Sequence, residues 1–174
     1  GGVALNCVAN QKLLNKINSN NIWIQPAAGD AGNSLGAAFS TYYKKYKRKR
    51  IINKNNDKDF QKYSLLGNEY SNIEIENIIN FYNLKYDNFG SDKYDVISHL
   101  LDNKKIIGLF DGRMEFGPRA LGNRSIIGDP RDPSMQIKMN LKIKFRESFR
   151  PFAPIILEEH VQDWFQFKGK SPYM

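Results

Sequence analysis

The sequence predicts an α/β or α+β fold, and three observations point there. Segments with helical apolar spacing alternate along the chain with short β-branched runs, and Gly-, Pro- and Asn-containing turns separate them. The composition, 41% hydrophobic and 25% charged with aromatics at 13%, is that of a globular protein with enough large side chains for a core. A length of 174 residues allows one ordinary domain or two incomplete lobes, taking about 150 residues per domain.

The elements follow in order. Leu5, Val8, Ala9, Leu13 and Ile17 fall at helical spacing, so residues 5–17 read as a helix opening after the Gly1-Gly2 turn. Ile22-Trp23-Ile24, closed by Pro26, reads as a buried strand within residues 21–25. Ala27-Ala28-Gly29-Asp30-Ala31-Gly32-Asn33-Ser34 is a small-residue turn, and residues 35–43 resume a helical pattern. Residues 48–62 are Asn- and Lys-rich without apolar periodicity and read as a linker, with a new unit beginning near Leu65.

Residues 71–84 form a helix with Ser71 as N-cap and Glu74 three residues on, and residues 94–101 suggest another. Residues 105–110 predict a buried strand entering the Asp111-Gly112 turn, and residues 124–128 a further strand. A helix is expected over 133–140, capped by Asp132 with Pro133 at its first position. Residues 141–145 and 151–157 read as extended, and 158–165 as a final helix.

No apolar run approaches the roughly 18–20 residues of a membrane span. The start, Gly1-Gly2-Val3-Ala4-Leu5-Asn6, lacks both a basic leader region and an initiator Met, and so reads as the interior of a longer protein. The single cysteine, Cys7, excludes an internal disulfide and fits a reducing, cytoplasmic compartment. It is expected to be a small buried thiol, because neither His99 nor His160 lies in a motif with it.

Much of the formal charge of +8 comes from Lys44, Lys45, Lys47, Arg48, Lys49 and Arg50, a run typical of a solvated face or linker. The rest sits among turn residues. In the stretch from Asp111 to Ser125, Gly112, Gly117 and Gly122 permit tight turns and Pro118 stiffens one, while Arg113, Arg119 and Arg124 recur between them. A guanidinium presents a planar fork suited to phosphate or carboxylate. Ser125 and turn amides add neutral donors. The same stretch admits a plainer reading, in which the arginines pair with Glu115, Asp129 and Asp132.

A second cation cluster runs from Asn140 to Pro154. If residues 141–145 are extended, Lys142 and Lys144 share a face with Arg146, and three cations on one face call for a polyanion such as ATP or an acyl phosphate. A strand edge guarded by lysines is the alternative. Asp30, on a strand-to-helix turn, either caps the helix or ligates a metal.

Taken together, Gly1-Gly-Val-Ala-Leu-Asn6, Gln25-Pro-Ala-Ala-Gly-Asp30, the motif from Gly112 to Ser125, Asp129-Pro-Arg-Asp-Pro133 and Phe145-Arg-Glu-Ser-Phe-Arg-Pro-Phe-Ala-Pro154 resemble the O-carbamoyltransferases of nodulation-factor and antibiotic-tailoring type. The long Arg-Gly motif is the specific part, and the resemblance spans nearly the whole chain apart from the basic linker. It implies the end of an actin/sugar-kinase-like ATPase domain over 1–45, a basic linker over 46–64, and an incomplete YrdC-like domain over 65–174. The second of these domains would convert carbamoyl phosphate and ATP into carbamoyl-adenylate. The first would pass the carbamoyl group to the hydroxyl of a small molecule or saccharide.

By the same resemblance, Gly1, Gly2 and Asn6 belong to an adenosine-binding turn. Asp30 becomes the aspartate ligand of a metal, with iron expected and Mg compatible with ATP. The family's two histidine ligands are not matched by His99 or His160. Arg119, Arg124, Lys142, Lys144, Arg146 and Arg150 are expected on phosphate and carbamoyl oxygens, with Arg113, Asn123 and Ser125 as substrate-binding donors. A homodimer is compatible with this family, no membrane partner is expected, and the chain by itself should not complete transfer. The rival class is a basic RNA-binding module built on the Lys44–Arg50 run and Tyr42, Tyr43 and Tyr46, although no nucleic-acid reader motif is present.

Overall fold

The computed structural model describes residues 1–17, 22–51, 59, 61–167 and 170–174. Its elements are α1 (Cys7–Ile17), α2 (Asp30–Ser40), α3 (Asn72–Phe81), α4 (Lys93–Asp102), β1 (Ile107–Phe110), β2 (Arg124–Ile127), α5 (Met135–Lys138) and α6 (Val161–Trp164). Among the described residues the sheet has two antiparallel strands, with Leu109 opposite Ser125 and Phe110 opposite Arg124. Helices beside a small antiparallel sheet make this an α+β arrangement.

The chain falls into two compact units that do not follow chain order. The first holds Gly1–Asn68, Arg113–Leu121 and Tyr173–Met174; the second holds Glu69–Gly112 and Gly122–Pro172. The Arg-Gly motif is therefore divided. Its first half, residues 113–121, is a strap that leaves β1 and packs with residues 1–68, and its second half returns as β2.

Local signals set several elements. Ser71 accepts from the Glu74 amide at 3.3 Å, and the Glu74 carboxylate accepts from the Ser71 amide at 2.8 Å, which completes the capping box that opens α3. Asn6 Oδ1 accepts from the Ala9 amide at 3.0 Å, as an N-cap does for α1. Strands β1 and β2 lie where β-branched runs placed them, and α4 starts one residue earlier than its apolar spacing suggests.

Other expectations are corrected. Residues 22–25 form no strand, and Trp23 is 75% exposed; a strand needs a ladder partner, and among the described residues β1 and β2 pair only with each other. Helix α2 begins at Asp30, five residues before the predicted start, with Gly29 as N-cap, so Asp30 is a first-turn residue and not the cap. The helix predicted from Pro133 begins at Met135. The amide and hydroxyl of Ser134 both donate to Asp132 Oδ1, at 2.9 and 2.7 Å, in a turn that precedes the helix.

Residues 141–145 are not extended. The helix begun by α5 continues as a wider i→i+5 turn over Met139–Lys144, ending at Phe145 with φ of 48° in the left-handed region. Lys142 and Lys144 consequently do not share a face by strand alternation. Cys7 is exposed rather than buried, because α1 covers none of its residues. In the linker predicted over 48–62, residues 52–58 and 60 lie outside the described residues.

Full burial is concentrated at the motifs. Among the described residues the covered apolar side chains are Ala27, Met135 and Met139, and the covered polar ones are Ser64, Glu115, Asp129, Asp132 and Asn140. Burying polar groups costs free energy unless each finds partners, so these positions mark where the chain is most specifically organised. Helices α1 to α4 contain no buried residue.

Candidate functional site

In the first unit, three motif segments meet. Residue 29 lies against residue 1, since a β-carbon on Gly29 would come within 3.9 Å of Gly1 Cα. The Gly1–Asn6 turn and the Gly29–Asp30 turn thus sit side by side. Gly29 N donates to Ala27 O at 2.8 Å and Gly32 N to Gly29 O at 2.9 Å, winding the loop into α2. A β-carbon at Gly32 would fall 2.1 Å from Ala27 O, so only glycine permits this turn.

The strap closes over that loop. Gly67 N donates to Met114 O and Met114 N to Asn68 O, each at 2.9 Å, and Phe116 N donates to Ser64 O at 2.6 Å. Gly117, at φ of 124°, lies against Ala27. The buried Glu115 carboxylate accepts from the Leu121 amide at 2.8 Å and holds the far end of the strap. Arg119, half-buried, donates to the carbonyls of Leu5, Tyr173 and Met174, and Arg113 to Gly67 O at 2.8 Å. A small apolar cleft lined by Ser34, Leu35, Leu66 and Phe116 lies beside it.

In the second unit, Asp111 opens the motif as an ion-pair anchor. Its carboxylate accepts from Lys93 Nζ at 3.1 Å to both oxygens and from the Tyr94 hydroxyl at 3.0 Å, and the Lys93 bond first and Tyr94 second lower its pKa. Its amide donates to Asn123 O at 3.0 Å, and Ser125 Oγ accepts from the Gly122 amide at 3.0 Å. Asn123, Arg124 and Ser125 are all half-buried at the start of β2.

The Asp129-Pro-Arg-Asp-Pro133 turn is occupied by its own charges. Arg131 Nε binds both Asp129 oxygens at 2.9 and 3.0 Å, and its Nη2 reaches Asp102 at 2.7 Å. Lys138 Nζ pairs with Asp132 at 2.9 Å. Both carboxyls are held below the usual carboxylate range, Asp129 chiefly by the Arg131 side chain and Asp132 chiefly by Lys138.

The loop after Phe145 holds a further anchored cation. Arg146 is half-buried, its Nε donates to Asn140 Oδ1 at 2.6 Å, and its guanidinium lies over the Phe152 ring at 4.8 Å. These two contacts fix the plane of the fork, and the Nη groups have no partner among the described residues. Arg150 is exposed and pairs with Glu147 at 2.7 Å. The Glu147 carboxyl is held below its ordinary range, first by its own backbone amide and then by Arg150. Lys142 and Lys144 are exposed and unpaired among the described residues.

Both ends of the chain match one family. Residues 1–39 match the carbamoyltransferase N-terminus and residues 98–174 the carbamoyltransferase C-terminus. The chain belongs to the carbamoyltransferase family. It is 51% identical over its full length to an uncharacterised protein of Synechocystis sp., covering 28% of that protein. Identity is 42% to nodulation protein NolO of Bradyrhizobium diazoefficiens, over 95% of this chain and 29% of NolO. It is 38% to nodulation protein NolNO of Sinorhizobium fredii, over all of this chain and 25% of that protein. The chain thus spans between a quarter and a third of the length of these relatives.

The two family matches bracket the two sites. The first covers the Gly1–Asn6 and Gly29–Asp30 turns, and the second covers the Arg-Gly motif and the Arg146 loop. Sequence reasoning picked out these cations by residue type and expected Arg119 and Arg146 on the same anions; in the structure Arg113 and Arg119 belong to the first unit and Arg146 to the second. Sequence reasoning passed over Asn140, whose signal, a fully buried amide, exists only in three dimensions.

Asp30, expected as one ligand of a metal, is exposed in the first turn of α2, and among the described residues no three His, Cys, Asp or Glu side chains gather into a ligand set. No chemical step is drawn through a metal. Beside the basic run, Tyr43 packs on Phe39 at 5.9 Å and on Tyr42 at 5.1 Å, and Lys45 lies over Tyr46. Those rings are engaged by their neighbours. Among the described residues no helix is long and apolar enough to cross a membrane.

Proposed function

We propose that this chain carries parts of two sites of a carbamoyl-transfer enzyme, and that the Arg146 loop serves formation of a carbamoyl-adenylate. The observation that carries the reading is the fork of Arg146. A guanidinium anchored by Nε and by an aromatic face, with its Nη donors unpaired, is a pre-set receptor for a phosphate or carboxylate oxygen. Membership of the carbamoyltransferase family names the group being moved.

The chemistry balances as follows. Water releases carbamate and phosphate from carbamoyl phosphate; the carbamate oxygen attacks the α-phosphorus of ATP, and pyrophosphate leaves. In the second stage an acceptor hydroxyl attacks the carbamoyl carbon, its proton is lost, and AMP departs. The first stage joins two anions, so the protein must screen and align charge. Arg146 is the fixed donor, Arg124, Arg150, Lys142 and Lys144 supply mobile or second cations, and Asn123 and Ser125 orient the substrate. ATP and carbamoyl phosphate are the partners of this site.

In the first unit the Gly1–Asn6 turn would take the adenosine end of the adenylate, with Gly2 and Asn6 lining it, and Asp30 beside it. Arg119 and Arg113 lock the strap over this turn. The acceptor is a hydroxyl of a small molecule or saccharide. Domain boundaries near 45 and 65, and an ATPase-like and YrdC-like pair of folds, belong to the same proposal.

The test is carbamoyl-phosphate-dependent ATP–pyrophosphate exchange by the complete polypeptide. Exchange that requires carbamoyl phosphate is expected. ATP–pyrophosphate exchange absent, or equal with and without carbamoyl phosphate, would refute the reading.

A further inference from the structure

Asn140 is fully buried, and both donors and the acceptor oxygen of its amide are engaged. Its two Nδ2 protons go to the carbonyls of Ser148 at 3.0 Å and Arg150 at 2.8 Å, and its Oδ1 receives Arg146 Nε at 2.6 Å. Its own carbonyl accepts from the Arg146 amide at 3.1 Å. One side chain therefore grips the loop at residues 146, 148 and 150. Gln136, one helical turn earlier, adds bonds to the carbonyls of Phe149 at 3.2 Å and Arg150 at 3.1 Å, but does not touch Arg146.

This arrangement is more than loop closure. An arginine held at Nε by an uncharged acceptor keeps its full positive charge and leaves both Nη groups for another acceptor, whereas a carboxylate in the same place would neutralise it. In the same unit Arg131 and Arg150 pair with carboxylates, Asp129 and Glu147. Arg146 has a neutral amide instead.

We infer that Asn140 is the positioning residue of the anion site: it aims the Arg146 fork at the reacting phosphate while leaving its charge unspent. The inference rests on the adenylate-forming reading above. It predicts that Asn140 acts through Arg146. In the complete polypeptide, Asn140→Ala should lower kcat for carbamoyl-phosphate-dependent exchange by about 10- to 100-fold, the cost of a misaligned donor, with KM for ATP changed by less than about threefold.

The discriminating readout is the double-mutant cycle with Arg146→Ala. Once Arg146 is gone, Asn140→Ala should cost less than about threefold in kcat. A residue that merely stabilised the fold would give the same loss in both backgrounds. If Asn140→Ala does not fold, the cycle is run with Asn140→Asp, which keeps the volume; there kcat should fall because the new carboxylate neutralises Arg146, and the fall should vanish in the Arg146→Ala background.

Two results would overturn the inference while leaving the adenylate reading in place: exchange by Asn140→Ala and Asn140→Asp within about threefold of the parent, or losses that multiply fully with Arg146→Ala. A parent protein without carbamoyl-phosphate-dependent exchange overturns both.

Discussion

Arg146 is the side chain on which the proposed adenylate-forming site can be tested most sharply. Its replacement by alanine removes three things: a 2.6 Å bond to Asn140, the stack on Phe152 at 4.8 Å, and the Nη donors, which have no partner among the described residues. The first two bear on stability. A hydrogen bond between a charged donor and a neutral buried acceptor contributes about 1.5–3 kcal/mol, and a partly exposed cation–π contact about 0.5–1 kcal/mol. Losing both should lower the unfolding free energy by about 2–4 kcal/mol, read as a drop in the urea midpoint at constant slope. The third bears on the reaction. Loss of one fixed electrostatic donor typically costs about 2.7–4 kcal/mol, or 100- to 1,000-fold in kcat. Arg146→Lys restores a charge but neither the fork nor the plane, and it should recover less than a tenth of the parent rate. Carbamoyl-phosphate-dependent exchange, measured where circular dichroism shows both variants folded, is the assay. An Arg146→Ala protein that exchanges within threefold of the parent would refute the assignment, whatever its stability.

Three further outcomes follow from the packing. Gly117→Val places a side chain at φ of 124° and against Ala27, so the strap should lift and hydrogen exchange at the Gly29 and Gly32 amides should accelerate; Gly122→Ala, at φ of 126° with open space around it, bears only the backbone strain and should leave those amides unchanged. Met135→Ala empties one of the few covered apolar positions and should cost about 2–5 kcal/mol in urea unfolding. Asp129 and Asp132 have folded pKa values below the ordinary 3.8, so their stabilisation is complete above that value and is lost as pH falls through the lower folded values; the urea midpoint should decline below about pH 4, and Asp132→Asn should flatten that decline.

What was legible in the sequence was local. The capping box at Ser71 and Glu74 involves residues three apart, so the string of letters contains the whole interaction. Strands β1 and β2 were legible for a related reason, because two β-branched runs separated by a Gly-rich turn segment supply both partners of one ladder. Ile22-Trp23-Ile24 has the same composition, but composition does not provide a partner, and without one the segment forms no ladder. Leu141 to Phe145 misled differently. Its alternation of apolar and basic residues fits a strand, yet the preceding helix carries straight through it, and Asn140 and Gln136 hold the loop that follows by its carbonyls.

The candidate site divides along the same line. Arg119 and Arg124 stand among glycines and Arg146 and Arg150 in a Phe- and Pro-containing stretch, so all four could be picked out by residue type. Their division between two units could not, because it depends on backbone pairing between residues 64–68 and 114–116, nearly fifty positions away. That division has a mechanistic consequence. The strap is covalently continuous with β1 and β2, which open and close the motif in the second unit, while its middle covers the Gly1–Asn6 and Gly29–Asp30 turns of the first. In the proposed two-stage reaction, one stretch of fifteen residues from Asp111 to Ser125 therefore carries donors for forming the adenylate and the strap over the turn that would receive it. Its glycines at residues 112, 117 and 122 sit at positive φ, which disfavours any residue with a β-carbon, and Gly117 also lies against Ala27.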